Sequence, residues 1–287
     1  MVEYLLKANA KINIGINIVG TLLSGYHLLD MVMVPIDLVD NITVNIFDID
    51  GDLTIKTNKQ NIPTDKNNIL FKVYEAFYNA SNFNHKKINV YLEKIIPHEA
   101  GLGGGSSDGA VLLKVLNKYY DNFFSEKELL DIGLKIGADL PFFILNKASR
   151  VGGIGEILTP IINNLLCKII IVKPNFGVST KNAYENISKI TNKNNSNILS
   201  IIDGLENNDI EKIKNSTKNH LEQGLLLTDN NIISFRKTLG EIKDYQFFMS
   251  GSGSAYFTFV SEHTKEENLE PLRKQLINCE VFLCNFL

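Results

Sequence analysis

Apolar and polar residues alternate most cleanly at residues 10–19. Ile12, Ile14, Ile16 and Ile18 fall on one face of an extended strand, and Lys11, Asn13, Gly15 and Asn17 on the other. Lys11 and Asn13 therefore project side by side, about 7 Å apart. Residues 21–27 read as a loop, with Ser24-Gly25 as the turn and Tyr26-His27 closing it. Further strands are predicted over 27–38, 41–47 and 53–57, with an acidic turn at 48–52, a meander that points to a largely antiparallel sheet. Asn67 or Asn68 caps a helix reaching residue 80.

A strand follows over 87–95, where Ile88, Val90 and Leu92 alternate, and helical spacing returns from Ala110 to Lys118. Ser125 and Glu128 form a capping box for a helix that stops at Gly137. Asp139 then stands before a Pro-led apolar run, 140–143, that reads as a strand. Gly152-Gly153-Ile154-Gly155 marks a bend or loop, and a domain boundary is expected near residues 155–165. The remainder reads as a strand over 166–173, helices over 180–190, 198–206, 209–218 and 230–239, and an Asn-rich loop at 191–197. A strand–turn–strand at 245–260 turns on Ser250-Gly251-Ser252-Gly253-Ser254, and a helix over 266–277 and a strand over 280–286 close the chain. There is no repeat of solenoid period.

Between the strand at 87–95 and the helix beyond it lies Pro97-His98-Glu99-Ala100-Gly101-Leu102-Gly103-Gly104-Gly105-Ser106-Ser107-Asp108. Four glycines in the five residues 101–105 exceed what a helix cap requires. Glycine lets a ligand approach the backbone, and a helix N-terminus adds unpaired N–H donors and a positive dipole end. The stretch is therefore a candidate seat for a polyphosphate. No Lys-Ser/Thr pair follows the glycines, so it is not a P-loop, and Ser106 stands where a dinucleotide fingerprint needs glycine. His98-Glu99 opens like a zinc-protease motif, but Leu102 occupies the second histidine position.

Composition narrows the class. The 287 residues are 44% hydrophobic and 21% charged, as in a globular protein, and the net charge of −3 offers no basic footprint for nucleic acid or an anionic membrane. Cys167, Cys279 and Cys284 form no CxxC pair and fit a reduced, cytoplasmic setting. No long apolar run and no signal-peptide core are evident.

Four motifs now stand in order: Lys11-Ile12-Asn13, the loop from Pro97 to Ser107, Gly137-Ala138-Asp139-Leu140-Pro141-Phe142-Phe143, and Ser250-Gly251-Ser252-Gly253. In this order and spacing the chain resembles the GHMP family of small-molecule kinases, over nearly its whole length. The resemblance implies an α+β, two-domain GHMP-kinase-like fold. Residues 1–158 would form a nucleotide-binding domain like ribosomal protein S5, and residues 159–287 a ferredoxin-like domain. It implies phosphoryl transfer from ATP, with Mg²⁺, to a hydroxyl of a polyol linked to cytidine diphosphate. Asp139 would match the catalytic base and Lys11 the lysine beside it. The loop residues Pro97, His98, Glu99, Ala100, Gly101, Leu102, Gly103, Gly104, Gly105, Ser106 and Ser107 would hold the triphosphate. Ser107 is also a candidate Mg²⁺ contact, and a Cβ at Gly104 would intrude on the nucleotide. Asn68 and Lys94 fall where the family lines the adenine site. Asn13, Tyr26 and His27 fall where it binds the cytidyl substrate, with Tyr26 stacking on cytosine. A monomer or weak homodimer is expected.

The pattern departs from the family at His98-Glu99, Gly109 and Ser254, and a carboxylate at 99 must point away from bound phosphates. Rival readings are another GHMP kinase, acting on a mevalonate-type acid, homoserine or a sugar, and a catalytically silent nucleotide-binding regulator. An RNA-binding role lacks the necessary basic clusters.

Overall fold

The computed structural model describes residues 1–190 and 192–287, so Thr191, in the expected Asn-rich loop, lies outside the described residues. The chain forms two compact units, each discontinuous in sequence. The first comprises Met1–Ala10, Leu38–Ile96 and Gly103–Asn146, and the second Lys11–Asp37, Pro97–Leu102 and Lys147–Leu287. Strand β1 (Val2–Thr21) pairs with β2 (His27–Asp50), and both strands contribute residues to each unit.

In the first unit β2 pairs antiparallel with β4 (Lys86–Glu93), with Val44 opposite Val90, and β4 pairs parallel with β3 (Leu53–Thr57). The sheet is largely antiparallel, as the meander predicted, with β3 and β4 pairing parallel. The two strands expected over 27–38 and 41–47 are one strand of 24 residues. Asp40, in the break expected at 39–40, is satisfied inside the sheet, as is Asn41 beside it. Asp40 Oδ1 accepts the N–H groups of Ile95 (2.6 Å) and Ile96 (2.8 Å), and Asn41 Nδ2 donates to Glu93 Oε2 (2.9 Å).

Helix α1 (Ile69–Ser81) buries Leu70, Val73, Tyr74, Phe77 and Tyr78, the stripe that 3.6-residue periodicity demands. It packs against α2 (Gly104–Tyr119), where a Cβ on Gly109 would lie 3.2 Å from Val73 Cγ2. Glycine at 109 is thus matched to valine at 73. The expected capping box starts α3 (Glu126–Ile136). The Pro-led run predicted as a strand is instead α4 (Leu140–Leu145). Proline in a first helical turn loses no hydrogen bond, and a short apolar run carries no decisive period. Asn146, at φ 50°, ends the helix, its N–H donating to Phe142 O (2.7 Å).

In the second unit the glycine cluster at 152–155 turns a hairpin, β5 (Ser149–Gly153) with β6 (Ile157–Pro160), and β5 pairs with residues 29–33 of β2. A separate antiparallel sheet holds β7 (Lys168–Pro174), β8 (Phe248–Met249), β9 (Tyr256–Val260) and β10 (Cys279–Asn285) in the order β10-β7-β9-β8. Its helices are α5 (Thr180–Glu185), α6 (Ile198–Glu206), α7 (Ile210–Ser216), α8 (His220–Leu225), α9 (Asn230–Glu241) and α10 (Glu270–Gln275). The helix expected over 180–190 ends its α-helical part at Glu185 and continues as a 3-10 turn. The helix expected over 209–218 stops at Ser216, and α8, which the sequence reading did not separate, starts at the new cap Asn219. Among the described residues no helix is long and apolar enough to cross a membrane.

Candidate active site

The polar face of β1 within the second unit is not solvated. Lys11 is 3% exposed and Asn13 2%. A buried ammonium must be paired with acceptors. Lys11 Nζ donates to Asn13 Oδ1 and to Gly101 O (2.9 Å), and the Lys11 backbone N–H donates to Leu102 O (3.0 Å). Asn13 donates its own N–H to Ser250 Oγ (3.2 Å), and the Ser250 hydroxyl donates to Gly101 O (3.1 Å). Three motifs far apart in sequence, at 11–13, 97–102 and 250–254, thus meet at one carbonyl.

The late glycine turn is held from its other side by Asn219. Its Nδ2 donates to Met249 O (3.0 Å) and Gly251 O (2.9 Å), while its Oδ1 caps α8 through Leu221 N–H (2.9 Å). Backbone bonds complete the attachment: Ser254 N–H and Val178 N–H to Glu99 O (both 3.3 Å), and Ala255 N–H to Ala100 O (3.1 Å). Gly101, at φ 72°, approaches so closely that a Cβ would lie 2.1 Å from Ser250 O. His98 and Glu99 are exposed beside Pro97. The Glu99 carboxylate lies against Gly177, whose absent Cβ would sit 2.4 Å from Oε2, which gives the awkward charge a place of its own.

In the first unit the loop continues into α2. Gly103, at φ 73°, is the N-cap and offers no side chain, and the first turn carries no acidic residue. The first intrahelical bond runs from Ser107 N–H to Gly103 O (3.0 Å), so the amides of Gly104, Gly105 and Ser106 precede it. A Cβ at Gly105 would meet nothing within 4 Å. The expected intrusion at Gly104 is different in kind, because a Cβ there would meet Ile96 Cγ2 (3.0 Å) and Lys94 Nζ (3.2 Å), atoms of the protein itself. Ser107 is buried.

Lys94 is buried between two carboxylates. Its Nζ donates to Asp40 Oδ2 and to Asp108 Oδ2 (2.8 Å). Burial pulls the Lys94 pKa down, but Asp108 and Asp40 outweigh it and the ammonium is held above its ordinary value. Burial pushes the Asp108 carboxyl above its ordinary value against the pull of Lys94, with Asp40 adding to the rise. Asn68 is the N-cap of α1, its Oδ1 accepting Leu70 N–H (2.9 Å) and its Nδ2 donating to Pro63 O (2.6 Å). Asp139 is half-buried at the start of α4 and does not cap that helix with its side chain.

The predicted substrate pair lies at the end of the β1–β2 hairpin in the second unit. Tyr26 is 62% exposed, an aromatic face without cover. His27 stacks on Tyr184 of α5, ring centroids 5.3 Å apart at 14°, and its Nδ1 lies 3.1 Å from Thr21 Oγ1. Burial lowers the His27 pKa and Lys193 lowers it further, so the ring favours its neutral form. Asp40, Asp108, Asn219 and Tyr184 were not singled out from the sequence. Of these, Asp40 carried a signal, an acid inside an apolar alternation.

The model of the GHMP kinases N terminal domain matches residues 68–147. A 4-diphosphocytidyl-2-C-methyl-D-erythritol kinase of Fusobacterium nucleatum is 43% identical over 284 residues, 98% of this chain and 97% of the relative. A crystal structure of 4-(cytidine 5'-diphospho)-2C-methyl-D-erythritol kinase superposes with a TM-score of 0.80 at 24% identity, covering 99% of each chain. A homoserine kinase from Cytophaga hutchinsonii shares the fold at a TM-score of 0.70 and 17% identity, over 98% of this chain and 95% of that one. The α+β architecture and its two sheets are those of this fold. With 43% identity across nearly its whole length, the chain belongs to the GHMP kinases and, within them, to the 4-diphosphocytidyl-2-C-methyl-D-erythritol kinase family.

Proposed function

We propose that this chain transfers the γ-phosphoryl group of ATP to the 2-hydroxyl of 4-diphosphocytidyl-2-C-methyl-D-erythritol, a step in isoprenoid precursor synthesis. The observation that carries this reading is the 43% identity over 98% of the chain to a kinase of that name. The uncapped N-terminus of α2, with an open face at Gly105, supports an anion seat there.

Phosphoryl transfer passes through a loose transition state, so positioning and charge neutralisation supply most of the rate. In this reading the amides of Gly103 to Ser106 and of the loop before them receive the triphosphate. Lys11, held by Asn13 and Gly101, orients the acceptor hydroxyl and stabilises negative charge on its oxygen. That oxygen attacks the γ-phosphorus, the bond to the ADP oxygen breaks, and the hydroxyl proton passes to the Asp139 carboxylate. Such general-base assistance is worth about 10²–10⁴ in rate. Tyr26 stacks on cytosine, His27 bonds its edge, and Asn13 faces the polyol. Among the described residues no three His, Cys, Asp or Glu side chains form a metal cluster. Mg²⁺ suits that donor set when it arrives on the nucleotide, because it binds through phosphate oxygens, waters and one or two protein oxygens. Ser107 is the protein candidate, and the ion supplies neutralisation of phosphate charge.

The test is ADP release with ATP and a panel of acceptors. The cytidyl polyol should be turned over, with homoserine and mevalonate inert. Asp139→Asn should cut kcat at least ~100-fold while ATP still binds. Wild-type turnover by that variant refutes the assignment of the base.

A further inference from the structure

The resemblance assigns Lys94 to adenine, but its surroundings suit another task. Asp40 Oδ1 accepts the N–H groups of Ile95 and Ile96, the residues that lead into the loop. Its other oxygen accepts from Lys94 Nζ, which also donates to Asp108 on the second turn of α2 (2.8 Å). Lys94 Nζ lies 3.2 Å from where a Cβ on Gly104 would stand, directly beneath the first helical residue. Both stems of the glycine loop therefore converge on one ammonium. All three side chains are buried: Lys94 is 6% exposed, Asp40 0% and Asp108 2%. An ammonium so enclosed has little surface to offer a base.

We propose that Lys94, Asp40 and Asp108 are positioning residues that clamp the two stems of the phosphate-binding loop, so that Lys94 governs affinity for the triphosphate and not recognition of adenine. The inference rests on the kinase reading above. Backbone amides bind phosphate only where their N–H vectors converge, and hydrogen bonds weaken steeply with misalignment. The glycines of the loop have no side chains with which to fix the angle between the strand exit and the helix start. The buried charges set that angle. A buried ion pair adds little net stability over an apolar replacement, but removing one partner leaves an uncompensated charge.

Inorganic tripolyphosphate, which has no base, separates the two roles. Its inhibition constant should be measured for wild type, Lys94→Met and Asp108→Asn, alongside KM for ATP, GTP and the cytidyl acceptor. Under the clamp, Lys94→Met weakens tripolyphosphate and ATP together by about 10-fold or more. The ATP-to-GTP preference then stays within about twofold of wild type, as does the acceptor KM. If Lys94→Met does not fold, Asp108→Asn carries the test, with a rise in the tripolyphosphate constant of about threefold or more. Unchanged tripolyphosphate inhibition together with a collapse of the ATP-to-GTP preference makes Lys94 a base contact and overturns the proposal. A wild-type protein that neither hydrolyses or transfers from ATP nor is inhibited by tripolyphosphate instead overturns the kinase reading itself.

Discussion

Alanine at Gly105 and at Gly104 should separate ligand space from protein space, although the two residues are neighbours on the first turn of α2. At Gly105 the new methyl meets no protein atom within 4 Å. Gly→Ala in a helix is favourable by about 0.5–1 kcal/mol, which for a chain of this size raises Tm by about 1–3 °C. If phosphate oxygens occupy the open side, the methyl overlaps them, and steric intrusion of that kind costs about 1–3 kcal/mol. The KM for ATP should then rise by about 10- to 100-fold, with the acceptor KM nearly constant. At Gly104 the methyl meets Ile96 Cγ2 at 3.0 Å and Lys94 Nζ at 3.2 Å. There the helix gain is offset by overpacking, and a net loss of about 1–2 kcal/mol is expected. Thermal unfolding and steady-state kinetics on both variants decide the matter. A more stable Gly105→Ala with wild-type KM for ATP would refute the location of the triphosphate.

The remaining expectations concern the second unit. Tyr26→Ala should raise KM for the cytidyl acceptor by about 2- to 10-fold through loss of a stacking face, leaving ATP affinity unchanged, and equal losses for both ligands would contradict the assignment. Asn219→Ala removes two donors to buried carbonyls and an N-cap, and should cost about 2–4 kcal/mol in urea unfolding, whereas a loss below about 0.5 kcal/mol would show the turn is held by other means. His220 accepts Ile18 N–H at Nδ1 (2.9 Å) and is therefore neutral, with burial and then Lys193 lowering its pKa from 6.5. The folded state thus binds fewer protons than the unfolded chain below about pH 6.5, and stability present above that pH is lost as the pH falls. His220→Asn should flatten the decline in urea midpoint between pH 7.5 and 5.5, and parallel slopes would exclude His220 as its source.

Motif order carried most of what could be read from the chain. Lys11, Asn13, the glycine loop and the turn at 250–254 stand out because glycines and a strand-borne lysine are costly unless something requires them, and in the second unit those pieces meet. Asn219 was invisible because a lone asparagine before a helix reads only as a cap, and its second amide function exists only in three dimensions. Lys94 was legible as important but not in what it touches, since the sequence brings no hint of Asp40 from a strand 54 positions earlier. The misread segments share one cause. At 39–40 and at 140–143, a polar residue or a proline reads as a break until the partners that make either acceptable inside a regular element are in view.

Among the described residues, the hydrogen bonds that fasten the loop at Glu99, Ala100, Gly101 and Leu102 run to their carbonyl oxygens. Main-chain acceptors are the same whichever residue supplies them, so selection on that attachment is blind to the identity of side chains at positions 98 and 99. Position 99 carries two constraints of its own: its backbone sits in the left-handed region, at φ 49°, which β-branched residues avoid, and while a glutamate occupies it position 177 must stay glycine. The histidine–glutamate pair that departs from the family pattern is thus compatible with a loop whose anchorage is supplied by its backbone.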